Sequence, residues 1–227
     1  MEYRKSVDVI SSFMQHQYHH AITFDDTLQF IPDTGSAGVN IMVRYMASKA
    51  GAEGVGFSCV VEKPLDDLKE FVSEYNLSLI VGDLIANSLR AVKTSRQKEI
   101  LLKVHYAKGF YHALTLYDSG ISFEPETIRL LGLQPATSHP EDGGSGIGLM
   151  SIFEIVKASG GSYVLDEAID EPPFTKAVTI RFDFKGQIII RSRRDEIIDL
   201  HKQRRDIIFL RPLGNGKEEY HFLDPKE

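Results

Sequence analysis

Apolar and polar positions switch between two periods along this chain, about 3.6 residues in some stretches and 2 in others, and the switches mark its elements. A polar, histidine-containing lead-in ends at the breaker cluster Phe30-Ile31-Pro32-Asp33-Thr34-Gly35. Ser36 then predicts the N-cap of a helix carrying Val39, Ile41, Met42, Tyr45 and Met46 on its apolar side. Gly54-Val55-Gly56 closes that helix, and Phe57 to Val61 reads as a strand. Pro64 to Ser73 predicts a short helix and Asn76 to Thr94 a longer one, with Leu77, Ile80, Val81, Leu84, Ile85 and Val92 on one continuous arc. Two antiparallel strands follow, Glu99 to Tyr106 and Tyr111 to Tyr117, joined by Ala107-Lys108-Gly109.

Residues 125 to 143 combine the helical piece TIRLLGL with the loop QPATSHPEDGG, whose prolines and glycines suit a mobile flap. A helix from Gly148 to Ser159 ends at Gly160-Gly161. The strands SYVLDE and KAVTIRFDF complete a sheet, and QIIIRS adds an edge strand after the turn at Lys185-Gly186. Beyond Arg191 the pattern predicts a basic helical tail, RSRRDEIIDLHKQRR, and a last strand, DIIFL. Helices and strands thus interleave, which is an α/β pattern. With 227 residues, 42% hydrophobic and 26% charged, the chain can build one principal domain with appendages. A net charge of -6 and a pI near 5.8 argue against a nucleic-acid binder. Cys59 is the only cysteine, so no internal disulfide is expected. No apolar run approaches the ~20 residues of a membrane helix, and MEYRKSVDV lacks a signal-peptide core. The expected setting is cytoplasmic, with membrane contact only through a sensor part outside this sequence.

Three strings carry the candidate chemistry: GDLIANSLRAV (Gly82 to Val92), DSGISFE (Asp118 to Glu124) and GGSGIGL (Gly143 to Leu149). On the long helix Asp83, Asn87 and Arg90 fall within roughly 60° of one another, beside the apolar arc. Such a trio can ligate Mg²⁺ through the Asn87 amide oxygen, neutralise phosphate with Arg90 and orient or deprotonate a reacting group with Asp83; it can equally be a solvated polar edge. Asp118 at a strand end is either a turn residue or an acceptor for the exocyclic amino group of adenine, with Gly120 beside it. Gly144, Gly146 and Gly148 form either a flexible linker or a phosphate cradle at a helix start. A long loop precedes them and no Lys-Ser/Thr follows, so they are neither a dinucleotide fingerprint nor a P-loop.

In this order, the strings resemble the N, G1 and G2 boxes of the GHKL ATP-binding (Bergerat) fold, shared by sensor histidine kinases, gyrase B, Hsp90 and MutL. The resemblance runs from about Ser36 to Phe184 and implies a two-layer α/β sandwich, here with a short helical N-terminal lead-in. It implies a catalytic domain over 34–190, a lead-in over 1–33 and an extension over 191–227. It also implies ATP and Mg²⁺ as cofactors, Asn87 as the metal ligand, Arg90 as a phosphate contact and Asp118 with Gly120 and Ile121 at the adenine. Gly144, Ser145, Gly146, Gly148 and Leu149 belong to the lid and phosphate region. The subtype is similar to quorum-type bacterial kinases that lack a separate F box, since residues 125–143 carry no phenylalanine motif. The implied activity is phosphoryl transfer to histidine, with a response regulator as partner and a homodimer as an allowed state. The alternative is a nucleotide-dependent interaction module or a serine kinase of the anti-sigma kind. Two departures stand out. Asp83 occupies a position that is usually Asn in histidine kinases and Glu in gyrase-like ATPases. In the lead-in, QHQYHHAI aligns His16 with a phosphoacceptor but replaces the acid and Asn expected after it; His16 and His20 at helical spacing equally suit a metal or an exposed face.

Overall fold

The structure, a computed structural model, describes residues 31–107, 111–134, 147–214 and 216–221. His16, Gly144, Ser145 and Gly146 lie outside these described residues. The stretch Ile31–Glu227 forms one unit, and all that follows concerns it.

Ser36 caps the first helix, α1 (Ala37–Ala52), by accepting a hydrogen bond from the Val39 amide. Its hydroxyl also donates to Glu74, 3.1 Å away at the start of the long helix α2 (Glu74–Val92), so one side chain ties both N-termini. The buried stripe of α1 is Val39, Val43, Met46 and Ala50. Ile41 and Tyr45, expected on that side, are exposed, because each stands roughly 200° around the axis from Val39 and Val43 respectively. Helix α2 starts two residues earlier than expected, where the Ser73 hydroxyl accepts from Asn76 N. All six residues of its predicted arc are buried, joined by Ser88 and Leu89. Between the helices, the stretch expected as a short helix is a 3-10 turn over Asp66–Glu70.

The strands are β1 (Gly56–Val61), β2 (Glu99–Ala107), β3 (Tyr111–Asp118), β4 (Ser162–Asp166), β5 (Lys176–Arg181), β6 (Ile188–Arg191), β7 (Ile207–Gly214) and β8 (Lys217–His221). They form one sheet in the order β1-β2-β3-β5-β4-β6-β7-β8. The centre is antiparallel, while β1 joins β2, β4 joins β6 and β6 joins β7 in parallel. Ile100, Leu102, Val104, Leu114, Leu116, Val178, Ile180, Tyr163 and Leu165 point into one core with α1, α2 and the helix α4 (Ile147–Ala158). The result is the expected mixed α/β architecture of sheet and helical layer.

The tail departs most from its expectation. Residues 191–205 hold only the single turn α5 (Asp195–Ile198) and a 3-10 turn over Asp199–Lys202. The strand expected at the edge, β6, lies inside the sheet, because β7 pairs on its far side and β8 forms the edge instead. Ile197, Ile198, Ile207 and Phe209 are buried, so the tail's apolar residues extend the same core.

These positions make the face of α1 testable. Val43→Ala, at a site with no exposure, should lower unfolding free energy by about 1–3 kcal/mol in urea titration, whereas Ile41→Ala should cost less than about 1 kcal/mol. Equal losses would place both residues in the core.

Candidate functional site

Asp118 ends β3 with its side chain buried and both carboxylate oxygens hydrogen-bonded. Oδ2 accepts from the Ser88 hydroxyl at 2.8 Å, and Oδ1 accepts from the Gly120 amide at 2.9 Å. Lys176, which opens β5 opposite Asp118, donates its ammonium to Oδ1 and, at 2.6 Å, to the Ile121 carbonyl. Asp118 and Lys176 are each about 2% exposed, and charge pairing with several hydrogen bonds offsets the cost of burying both. The Asx turn to Gly120 brings the loop onto the last turn of α2: a Cβ there would meet Ala91 backbone at 2.7 Å. Glycine is therefore required at 120 by close helix packing. Ile121 N bonds Ala91 O, and the Ile121 side chain is exposed at the loop surface.

Helix α2 brings the second group together as its periodicity predicts. Arg90 donates to Asn87 Oδ1 at 2.8 Å, and its charge acts on Asp83. Asp83 sits where α4 begins, since a Cβ on Gly148 would lie 3.1 Å from its carboxylate. Burial pushes the Asp83 carboxyl up to about 6, against the opposing pull of Arg90. Leu149, one residue on, is half-buried and packs on the core. Ser88 and Asp83 are five residues apart on one helix, so the Asp118 end and the Gly148 end are separated by about 7.5 Å of helix rise. Chemically, one end offers an anionic acceptor for an amino group and the other a helix start beside the Asp83 carboxyl, with the Asn87 amide oxygen and the Arg90 guanidinium on the same helix. Among the described residues no cluster of three His, Cys, Asp or Glu side chains could hold a metal by itself. A hard cation that keeps phosphate and water ligands needs only one or two protein oxygens, and Asn87 Oδ1 fits that requirement.

Several participants were not foreseen from the sequence. Ser88 and Lys176 fix Asp118; the only signal for Lys176 was a charged residue opening a strand. Beyond Ile121, both the Phe123 amide and carbonyl are bonded, the first to Glu167 at 2.9 Å and the second to Arg194 at 2.6 Å. Glu167 and Arg194 also pair with each other, the glutamate carboxylate being 2% exposed. The flap expected over 125–143 begins as a wall: α3 (Pro125–Leu130) buries Ile128, and Leu131 after it is buried too. The Tyr163 hydroxyl is buried and has no hydrogen-bond partner among the described residues; burial, joined by the charges of Asp118 and Glu167, raises its pKa.

The raised Asp83 pKa has a definite sign. The folded chain holds the proton up to about pH 6 and the unfolded chain only to about 3.8, so the stability Asp83 confers falls as pH rises through that window. Asp83→Asn should stabilise the fold by roughly 1–3 kcal/mol at pH 7–8, with the gain vanishing below about pH 4. Thermal melts across pH 3.5–8 check this; a pH-independent difference would contradict the buried ionisation.

This fold has relatives. The profile of histidine kinase-, DNA gyrase B- and HSP90-like ATPases matches residues 72–187. Among solved structures, the mycobacterial sensor histidine kinase MprB aligns with a TM-score of 0.47 at 20% identity, over 63% of this chain and 90% of that one. Full-length ShkA, solved in complex with AMPPNP, aligns with a TM-score of 0.50 at 14% identity, over 82% of this chain and 41% of that one. At such identities the likeness is one of fold. No curated protein matches by sequence. The matched residues 72–187 are more than half of the 227 and contain α2, the Asp118 turn and the Gly148 helix start; the chain belongs to the histidine kinase-, DNA gyrase B- and HSP90-like ATPases.

Proposed function

We propose that this chain is the ATP-binding catalytic module of a sensor histidine kinase, transferring the γ-phosphoryl of Mg²⁺-ATP to a histidine. The observation that carries this reading is the double use of α2. Its Ser88 holds Asp118 and its Asp83 abuts Gly148, so one rigid helix spaces a base acceptor from a phosphate end. Asp118 accepts the adenine amino group through the lone pairs its three donors leave open. Arg90, bonded to Asn87 Oδ1, is the cation of this helix face that neutralises phosphate once it leaves that bond. Asn87 Oδ1 would hold Mg²⁺, which would supply charge neutralisation for the phosphates. Residues Gly144, Ser145 and Gly146 complete the phosphate cradle in this reading.

The catalytic contribution is positioning and electrostatics, since phosphoryl transfer needs little covalent help from protein. Asp83, with its carboxyl near 6, is the group able to take a proton at neutral pH, which also suits ATP hydrolysis or a serine acceptor. The phosphoacceptor is His16 or a histidine on a partner. A response regulator receives the phosphoryl group, and a homodimer presents the histidine to the nucleotide. The same pocket without transfer would make a nucleotide-dependent interaction module.

Calorimetric titration tests the pocket. Mg²⁺-ATP should bind more tightly than Mg²⁺-GTP, and Asp118→Asn should weaken ATP by about 1–3 kcal/mol. Asn87→Ala should abolish the Mg²⁺ dependence of binding. Equal ATP and GTP affinities would remove the adenine assignment. Incubation with labelled ATP then tests the chemistry: acid-labile, base-stable phosphate that disappears in His16→Gln marks the autokinase, with weak labelling expected for this chain alone. Label on serine would move the reading to Asp83 as base for a hydroxyl acceptor.

A further inference from the structure

The residues after 190 lie outside the stretch matched by the ATPase profile, yet two arginines among them, the buried Arg204 and the half-buried Arg194, reach back to the segment from Phe123 to Leu131. Arg204 is 3% exposed, and all five of its N–H donors are used. Nε and Nη2 take the two oxygens of Asp206 at 2.8 and 2.7 Å. Nη1 donates to the carbonyls of Ile128 at 3.2 Å and Arg129 at 2.8 Å, and Nη2 to that of Leu131 at 2.7 Å. These carbonyls end α3, a six-residue helix too short to persist by itself. Arg194 does the same work one step earlier in the chain. It takes the Phe123 carbonyl and pairs with both oxygens of Glu167, of which Oε1 also accepts from the Phe123 amide. The Phe123 ring lies 5.7 Å from the Lys176 ammonium, which in turn holds Asp118 and Ile121.

We infer that Arg194 and Arg204 are positioning residues of the nucleotide site, and that the C-terminal extension fixes the wall from Phe123 to Leu131 that follows the Asp118 turn. This rests on the nucleotide reading above for what the wall encloses, but not for its anchoring. The extension is then a working part of the ATPase module. Arginine suits the role because only a planar fork reaches three carbonyls and a carboxylate together; lysine presents a single point of charge.

The test combines hydrogen exchange without nucleotide and titration with Mg²⁺-AMPPNP on the full chain, for wild type, Arg204→Gln and Arg194→Gln. Both variants should speed exchange at least about tenfold across residues 122–134 and leave α2, β2 and β3 protected as in wild type, the pattern of a local opening. AMPPNP affinity should fall about tenfold, while the Mg²⁺ dependence set by Asn87 persists. Arg204→Lys, which keeps the charge, should not restore affinity; full rescue would reduce the role to charge and overturn the positioning account. Unchanged exchange over 122–134, or faster exchange with unchanged affinity, would also overturn it. Where a glutamine variant unfolds throughout, Arg204→Lys is read by the same two measurements. A wild-type chain that binds no AMPPNP sinks the nucleotide reading alone, and the exchange arm still decides the anchoring.

Discussion

The carboxylate of Asp118 is a buried charge, and the surrounding structure is arranged around keeping it satisfied. Leaving such a group without partners costs several kcal/mol, so its position dictates where Ser88, Gly120 and Lys176 must be. Each partner arrives on a different element: α2, the turn after β3, and the first residue of β5. Register follows from this, because Asp118 faces Lys176 only in the observed pairing of β3 with β5. Gly120 follows as well, since the turn closes over Ala91 with no room for a side chain. The helix layer and the sheet are locked together at the point where the proposed base is read.

From that point the constraints run in two directions. Along α2, one turn and a half of rigid helix fixes Asn87, Arg90 and Asp83 relative to Asp118, and the burial that raises the Asp83 pKa comes from the start of α4 closing on it. Along the loop, Lys176 hands the chain to Phe123, and Phe123 to the Glu167–Arg194 pair. The extension of the sheet by β6, β7 and β8 supplies the arginines that end this path. A sheet edge is commonly blunted by charge; β8 carries Lys217, Glu218, Glu219 and His221, which suits it for the outermost place.

What the sequence disclosed divides along physical lines. Local signals were legible: the cap at Ser36, the apolar arc of α2, the strand pair β2 and β3, and the Asp118 turn all depend on neighbours in the chain. The trio Asp83, Asn87 and Arg90 was legible too, because helical spacing alone places it. Partnerships across long separations were not. Nothing near Lys176 announces Asp118, 58 residues earlier, and nothing in RSRRDEIIDLHKQRR announces that Arg194 bonds Phe123 and Glu167 or that Arg204 is buried. A run rich in arginine reads as a solvated helix until tertiary carbonyls claim its donors, which is why the tail was expected to be helical. Ile41 and Tyr45 were misplaced on α1 because apolar residues flank both sides of its true stripe.

The central claim is that Asp118 reads an exocyclic amino group. Inosine triphosphate has a 6-oxo group and an N1 proton where ATP has the amino group and a bare N1, so it changes the base edge that Asp118 would read and leaves the phosphates unchanged. The affinity ratio of Mg²⁺-ATP to Mg²⁺-inosine triphosphate on the wild-type chain, measured by calorimetry, is the most direct test. A preference for ATP of about tenfold to a hundredfold is predicted, on the scale of a carboxylate left facing an acceptor. Equal affinities would contradict the account.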